Sequence, residues 1–343
     1  MRLTWTVDTL ELTHPFRISR GVMSTREAVT VTVTGPNSDH VGRGEVVTSP
    51  FAQLDVDRIE EHLHQVREHC GRDGAALDRA LTAVHPAVAA AVWSAVAELR
   101  ARTHAQPLAV HLGLPLPTEV PITRTLGIGT PEAMATEATA LMAQGFRLLK
   151  VKTDADPAAS VRRLVAVAAA APDAHLIVDP NEAWTAATAL QVLSDTRGLP
   201  MVALEQPLPA SDLDGQRELR SRTDVPVIAD EAIHTLPDLD ALTGLVDAVN
   251  IKLPKCGGIY RAHGLVTAAR ERGMDVMLGC LASSSLSIAP AVHLASLARW
   301  CDLDGHLLLA RDPWIGLGGE NGVLRPSGLS GLGVRRREDG EPR

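Results

Sequence analysis

The sequence predicts an α/β chain, a parallel (β/α) barrel of eight strands preceded by a smaller N-terminal unit of strands and helices. Three observations predict it. From residue 120 onward, apolar β-rich runs alternate with Ala/Leu-rich amphipathic stretches. Eight such runs fall within about 190 residues, the beat of successive βα units. Single charged residues close successive runs, at Lys152, Asp179, Glu205, Asp230 and Lys252, with separations of 27, 26, 25 and 22. One charge per unit at the same end of each strand is the pattern of a barrel rim.

The elements follow in order. Residues 1–34 alternate apolar and polar and read as two strands joined by a loop at 14–24. Residues 54–105 read as helical, best defined over 86–102. The proline-rich stretch 114–121 reads as a linker. The barrel strands are expected at 120–126, 147–152, 175–179, 201–205, 225–230, 247–252, 274–279 and 302–304. Helices are expected between them, at 131–144, 157–171, 185–194, 236–243, 258–272 and 285–298. A doubly wound open sheet is disfavoured, because no GxGxxG follows the first strand of this region. The chain thus divides into residues 1–118, a barrel over 119–325, and a C-terminal segment over 326–343. Residues 334–343 read as a solvated charged tail.

Composition narrows the function classes. The chain has 343 residues, 33 basic and 41 acidic, for a net charge of −8. That balance argues against nucleic acid or an anionic membrane surface as partner. Hydrophobic residues make up 45% but aromatics only 3%, so the core must be built from Ala, Val and Leu. Cys70, Cys256, Cys280 and Cys301 form no CxxC pair and read as reduced thiols. The N-terminal residues show no apolar signal core, and no long apolar span appears, so a cytoplasmic protein is expected.

The lysines stand out. Only Lys150, Lys152, Lys252 and Lys255 are present among the 33 basic residues. Arginine stays protonated at any working pH, whereas a lysine can be tuned to give and take a proton. Lys150 and Lys152 are two apart on one strand and point the same way. Lys252 ends a strand four units further on, across the barrel. Two opposed lysines suit removal of a proton from one face of a carbon and delivery to the other. Lys255, before Gly257-Gly258, is assigned to orienting the rim.

Asp179, Glu205 and Asp230 end three successive strands and should converge. Three clustered carboxylates cannot all stay ionised without a cation, and all-oxygen ligation suits Mg²⁺. Any one of them alone could simply cap a helix; three in register at one rim argue for a site. A carbon acid next to a carboxylate is weak, so the metal would stabilise the enediolate as it forms. Asp302 and Asp304 lie two apart on the last strand and suit a substrate cation. The stretch 279–285 offers small residues and hydroxyls where a substrate must pass. Cys280 within it reads as a small buried hydrophobe. Arg124 interrupts the apolar phase of Val120, Ile122 and Leu126, without explanation from the sequence.

The motifs LLKVK, VDPNEAW, LEQP, ADE, NIKLPKCGG and MLGC…SSLS, with THPFRISRG near the start, resemble the enolase superfamily, muconate-lactonising-enzyme subgroup. The DLDG motif narrows the resemblance to the dipeptide epimerases. The resemblance implies a modified TIM barrel with an α+β cap over residues 1–118, to which the C-terminal segment returns. It implies one Mg²⁺ per subunit on Asp179, Glu205 and Asp230. It makes Lys152 and Lys252 the acid/base pair and Lys150 a stabiliser of the enolate. Asp302 and Asp304 would hold a dipeptide α-ammonium, and Thr125, Cys280 and Ser283 would line the substrate site. The 14–24 loop would close over it, with Arg20 or Arg17 binding a side-chain carboxylate. Many relatives carry Glu where this chain has Ser283. A homo-oligomeric isomerase acting on a small dipeptide is the resulting expectation. The rivals within the superfamily are o-succinylbenzoate synthase, N-acylamino acid racemase and cycloisomerase. A Schiff-base aldolase barrel and a non-catalytic binding barrel are the rivals from other classes.

Overall fold

The computed structural model describes residues 1–18, 21–35, 40–70, 74–338 and 341. An antiparallel sheet opens the chain, formed by β1 (Arg2–Ile18), β2 (Gly21–Thr34) and β3 (Val41–Val47). Helices α1 (Val56–Arg67), α2 (Gly74–Ala83) and α3 (Pro86–Thr103) cover it. The first two strands run further than the sequence suggests. Residues 14–18 and 21–24 continue the hairpin, with Phe16 opposite Met23, after a register shift beyond Glu11.

Strand β3 lies outside the elements expected from the sequence, and it carries two glycines. A Cβ on Gly42 would lie 1.9 Å from the Ala95 carbonyl oxygen, and one on Gly44 would lie 2.1 Å from that of Ala91. The missing side chains let β3 press directly on the α3 backbone. Helix α3 is buried on nearly every side. An alanine-rich helix without a polar face fits a position between two layers.

After α4 (Leu108–His111), β4 (Val120–Pro121) leads into the barrel. The barrel strands are β5 (Arg124–Leu126), β6 (Leu148–Lys152), β7 (His175–Asp179), β8 (Met201–Glu205), β9 (Val227–Ala229), β10 (Ala248–Lys252), β11 (Asp275–Gly279) and β12 (Trp300–Asp302). They pair in parallel in sequence order. Across the seam, the Thr123 N–H donates to the Cys301 carbonyl at 2.8 Å. The helices are α5 (Pro131–Gln144), α6 (Pro157–Ala170), α7 (Ala186–Asp195), α8 (Leu213–Arg222), α9 (Leu236–Leu242), α10 (Leu253–Cys256), α11 (Ile259–Glu271) and α12 (Ser285–Val292). Local chemistry starts them sharply. Thr130 and Asp156 accept from Ala133 and Ala159 N–H groups, each ahead of a proline at the first helical position.

Alternation along the strands positions the site. Leu148, Ile177, Ala203, Ile228, Ala248, Met277 and Trp300 form an apolar plug inside the barrel. Two residues further on, the same faces carry Lys150, Asp179, Glu205, Asp230, Asn250, Gly279 and Asp302. The plug thus floors a layer of charge.

The C-terminal segment is not a loose tail. Arg335–Arg336 forms β15 and pairs with β13 (Trp314–Ile315), while β14 (Val323–Leu324) pairs with β4. Leu332 and Val334 are buried. The expectation of a solvated stretch from 334 is corrected by this pairing: the charge of 335–338 faces outward while Leu332 and Val334 pack inward.

His293, just after α12, joins the parts. Its Nδ1 accepts the Ala109 N–H at 3.1 Å, and its Nε2 contacts the Leu332 carbonyl at 3.2 Å. The Ala109 amide can only donate, so the ring proton sits on Nε2. Burial lowers its pKa to about 4 from an ordinary 6.5. Between those values the unfolded chain binds the proton and the folded one does not. Stability therefore falls as pH drops from 6.5 toward 4, by on the order of 3 kcal/mol. Urea midpoints at pH 7 and 4.5 should show this loss, and His293→Gln should flatten it. An unchanged pH slope in that variant would sink the assignment.

Candidate active site

A cavity of about 440 Å³ lies between the N-terminal sheet and the barrel rim. Lys150, Lys152, Asp230, Lys252, Asp302 and Asp304 line its barrel side. The ammonium of Lys150 lies 2.9 Å from Asp179 Oδ2, 2.7 Å from Glu205 Oε2 and 2.8 Å from Asp302 Oδ2. Lys152 lies 2.5 Å from Asp179 Oδ2 and donates to Asn181 Oδ1 at 2.9 Å. Across the layer, Lys252 donates to Asp230 Oδ2 at 2.6 Å. Lys255 reaches the other Asp230 oxygen at 2.5 Å and also its carbonyl. Gly279 makes room for this: a Cβ there would lie 2.4 Å from Asn250 Oδ1 and 2.7 Å from Lys252 Cε.

The electrostatics differ from group to group. Burial would raise Asp179, but Lys150 and Lys152 overcome it and hold the carboxyl at about 2. Burial would likewise strip Lys150 of its proton, but Asp179, Asp302 and Glu205 hold it there firmly. Lys252 is also held protonated, because Asp230 outweighs burial and the repulsion of Lys150. Glu205 is the under-neutralised acid. Burial and then the Asp179 charge push it up to about 8, against the pull of Lys150. Its Oε2 lies near Lys150 but makes no hydrogen bond.

Among the described residues, no three acidic, histidine or cysteine side chains converge as a ready metal site. The ammonium groups stand between the carboxylates instead. The donor set still fits a hard divalent cation: it is all oxygen, and Glu205 Oε2 is a buried acceptor without a hydrogen bond.

The remaining expected residues fall in different places. Asp304 accepts the Thr125 N–H at 2.8 Å, and the Thr125 hydroxyl donates to Asp302 at 3.4 Å. Arg124, unexplained by the sequence, grips Asp304 Oδ2 at 3.3 Å and the Leu307 carbonyl at 3.2 Å. Burial still raises Asp304 above the ordinary carboxylate range. Cys280 lines the cavity. Burial, then Asp304 and Asp302, push its thiol far up, so it is no nucleophile. Ser283 is buried beside the cavity rather than in its lining, with its hydroxyl on the Leu281 carbonyl at 3.0 Å. Arg20 lies outside the described residues. Arg17 is exposed and does not line the cavity.

Sequence reasoning missed four contributors. Arg26 lines the cavity, is 8% exposed, and donates to the Thr48 carbonyl at 2.7 Å. Burial lowers its pKa to about 10. Among the described residues no carboxylate pairs with it. Its signal was parity, since it shares a strand face with the buried Ala28. Asn181 takes a positive φ of 48° and ties Lys152 to Asp179, donating its own N–H to Asp179 Oδ1 at 2.9 Å. Gln206, with a φ of 32°, accepts the Asp230 N–H at 2.8 Å. Asn250 donates to Glu205 at 2.8 Å. Gln206 immediately follows the strand-end Glu205 and Asn181 comes two residues after Asp179, where a backbone turn aims the side chain back at the rim.

Residues 133–339 match the family model described as Enolase C-terminal domain-like. The chain is 38% identical over 305 residues to the L-Ala-D/L-Glu epimerase of Escherichia coli (strain K12), covering 87% of this chain and 91% of that protein. The solved substrate-liganded complex of the L-Ala-D/L-Glu epimerase from Bacillus subtilis matches with a TM-score of 0.92 at 28% identity, over 97% of this chain and 98% of that one. A dipeptide epimerase from Methylococcus capsulatus, complexed with Mg and the dipeptide L-Arg-D-Lys, matches with a TM-score of 0.87 at 30% identity, over 97% and 98% of the two chains.

Removing Arg124 leaves Asp304 buried without its cation. Arg124→Leu should lower the unfolding free energy by about 3 kcal/mol, and adding Asp304→Asn should recover most of that. Urea unfolding of the three proteins measures it. A loss under about 0.5 kcal/mol in the single variant would mean the pair behaves like an exposed one.

Proposed function

Because the chain belongs to the Enolase C-terminal domain-like family, we propose that it is a Mg²⁺-dependent isomerase, a dipeptide epimerase that inverts the α-carbon of the dipeptide's C-terminal residue. The observation that carries this reading is the pair Lys152 and Lys252, one on Asp179 and the other on Asp230, on opposite sides of one cavity. A Mg²⁺ ion held by Asp179, Glu205 and Asp230 would supply Lewis-acid stabilisation of the charge that develops on the substrate carboxylate.

The chain's own groups do the rest. Lys150 keeps its proton and is placed to donate toward that carboxylate. Asp230 raises Lys252, and Lys150 opposes it. With Asp230 among the residues that would hold the cation, its hold on Lys252 would weaken, leaving Lys252 nearer the neutral form that can accept a proton. Lys152 meets Asp179 in a matching contact, at 2.5 Å. One lysine then takes the α-proton, and the other, still ammonium, delivers a proton to the opposite face. Asn181 holds the Lys152 ammonium in line. Asp302 and Asp304 offer acceptors for the α-ammonium, steadied by Thr125 and Arg124.

In D₂O, turnover should place solvent deuterium at the inverted centre. Lys152→Ala and Lys252→Ala should each lose epimerisation by about a thousandfold. Each should still wash out the α-hydrogen of one stereoisomer only, because one lysine still faces that side. EDTA should abolish exchange and Mg²⁺ restore it. Loss of neither activity nor exchange on removing Lys152 would overturn the two-lysine reading.

Arg26 supplies the selectivity. It is the cavity-lining guanidinium without a carboxylate partner, set among the apolar walls of Phe16, Met23 and Phe51. That suits a C-terminal residue with a short aliphatic stem and a terminal carboxylate, such as Glu. Arg26→Met should lower kcat/KM for L-Ala-L-Glu by about a hundredfold and leave L-Ala-L-Leu within about threefold. Equal losses on both dipeptides would remove Arg26 from substrate selection.

A further inference from the structure

Glu45 is a buried acid that the chemistry above leaves unused. It lies on β3 and is 6% exposed. Its Oε1 accepts the Ser284 N–H at 2.9 Å, and its Oε2 accepts the Ser284 hydroxyl. Among the described residues no lysine or arginine pairs with it. Burial pushes its pKa up to about 7, with Ser284 pulling the other way. A buried carboxylate without a cation is weak support for stability, so its use must be sought in geometry.

That geometry spans the cavity. Val47, two residues along the same strand face, lines the cavity from the N-terminal sheet. Cys280, Leu281 and Ala282, just before Ser284, line it from the barrel. Ser284 also caps α12, accepting the Leu286 N–H at 3.2 Å, so the clamp has a rigid anchor. The next residue, Ser285, donates its N–H at 3.1 Å and its hydroxyl at 2.5 Å to Asp312. Glu45 is therefore the side chain through which β3 holds the 280–284 strip.

We propose that Glu45 is a positioning residue: by clamping Ser284 to β3 it fixes the distance between the two walls of the substrate cavity. The kinetic consequence rests on the epimerase reading; the structural one does not. Glutamine keeps the shape and can accept the Ser284 N–H while donating to its hydroxyl, whereas alanine cannot.

The 343-residue chain with Mg²⁺ is tested as wild type, Glu45→Ala, Glu45→Gln, Ser284→Ala and the Ala double variant. Backbone amide exchange over 280–285 should quicken about tenfold in Glu45→Ala, with the barrel strands as protected as in wild type. With L-Ala-L-Glu as substrate, KM should rise about tenfold while kcat stays within about threefold. Glu45→Gln should restore both readouts, and the double variant should be no worse than the poorer single one. Unchanged exchange in a folded Glu45→Ala overturns the clamp. So does faster exchange with unchanged KM, or a glutamine variant as poor as alanine. A wild type inert on L-Ala-L-Glu and other dipeptides counts against the epimerase reading, and amide exchange alone then decides the clamp.

Discussion

The Lys150 ammonium lies within 2.9 Å of carboxylates from three different strands, and the charged layer holds together around it. Asp179 and Glu205 would otherwise face each other across a dry barrel top above an apolar plug. Clustered carboxylates in such a place neutralise rather than stay charged. Glu205 already shows the strain, pushed up to about 8 even beside Lys150. The three contacts have a second effect. They hold the Lys150 proton firmly, whereas Lys152 and Lys252 each meet one carboxylate, Asp179 and Asp230.

The barrel alone does not make a cavity. Its rim supplies the charges, but Phe16, Met23, Arg26, Val47 and Phe51 on the other side come from the N-terminal unit. The helix α3 and the glycines of β3 let that unit sit close, and Glu45 reaches from it into the barrel at Ser284. The division of labour follows from this construction. The charged groups of the cavity are on rigid strand ends, and its apolar wall with Arg26 is on the facing N-terminal unit.

What the sequence revealed follows the same line. The barrel was legible because a parallel βα repeat leaves a regular beat, and its rim because a charge two residues beyond an apolar inward position has few structural reasons to be there. The lysines and carboxylates were thus visible in one dimension. Glu45 was not, since its partner lies across the domain boundary, about 240 positions away at Ser284, and Arg26 was marked only by strand parity. Strand β3 was obscured because its glycines signal close packing only when α3 is known to lie against them. Arg124 broke an apolar pattern for a reason found just past the last barrel strand, at Asp304.

The use of lysine and arginine in the site has a geometric logic beyond proton transfer. Arginine presents a planar fork, and Arg124 uses it so, spreading its guanidinium over Asp304 and the Leu307 carbonyl. Lys150 is approached by Asp179, Glu205 and Asp302 from three separate strands, β7, β8 and β12. A compact ammonium with three tetrahedral donors serves such a meeting point, and a guanidinium would be too wide and too flat for it. All four lysines of the chain contact acids of this layer. In a chain that otherwise uses arginine, Lys152, Lys252 and Lys255 each meet one strand-end carboxylate, and Lys150 stands where three meet.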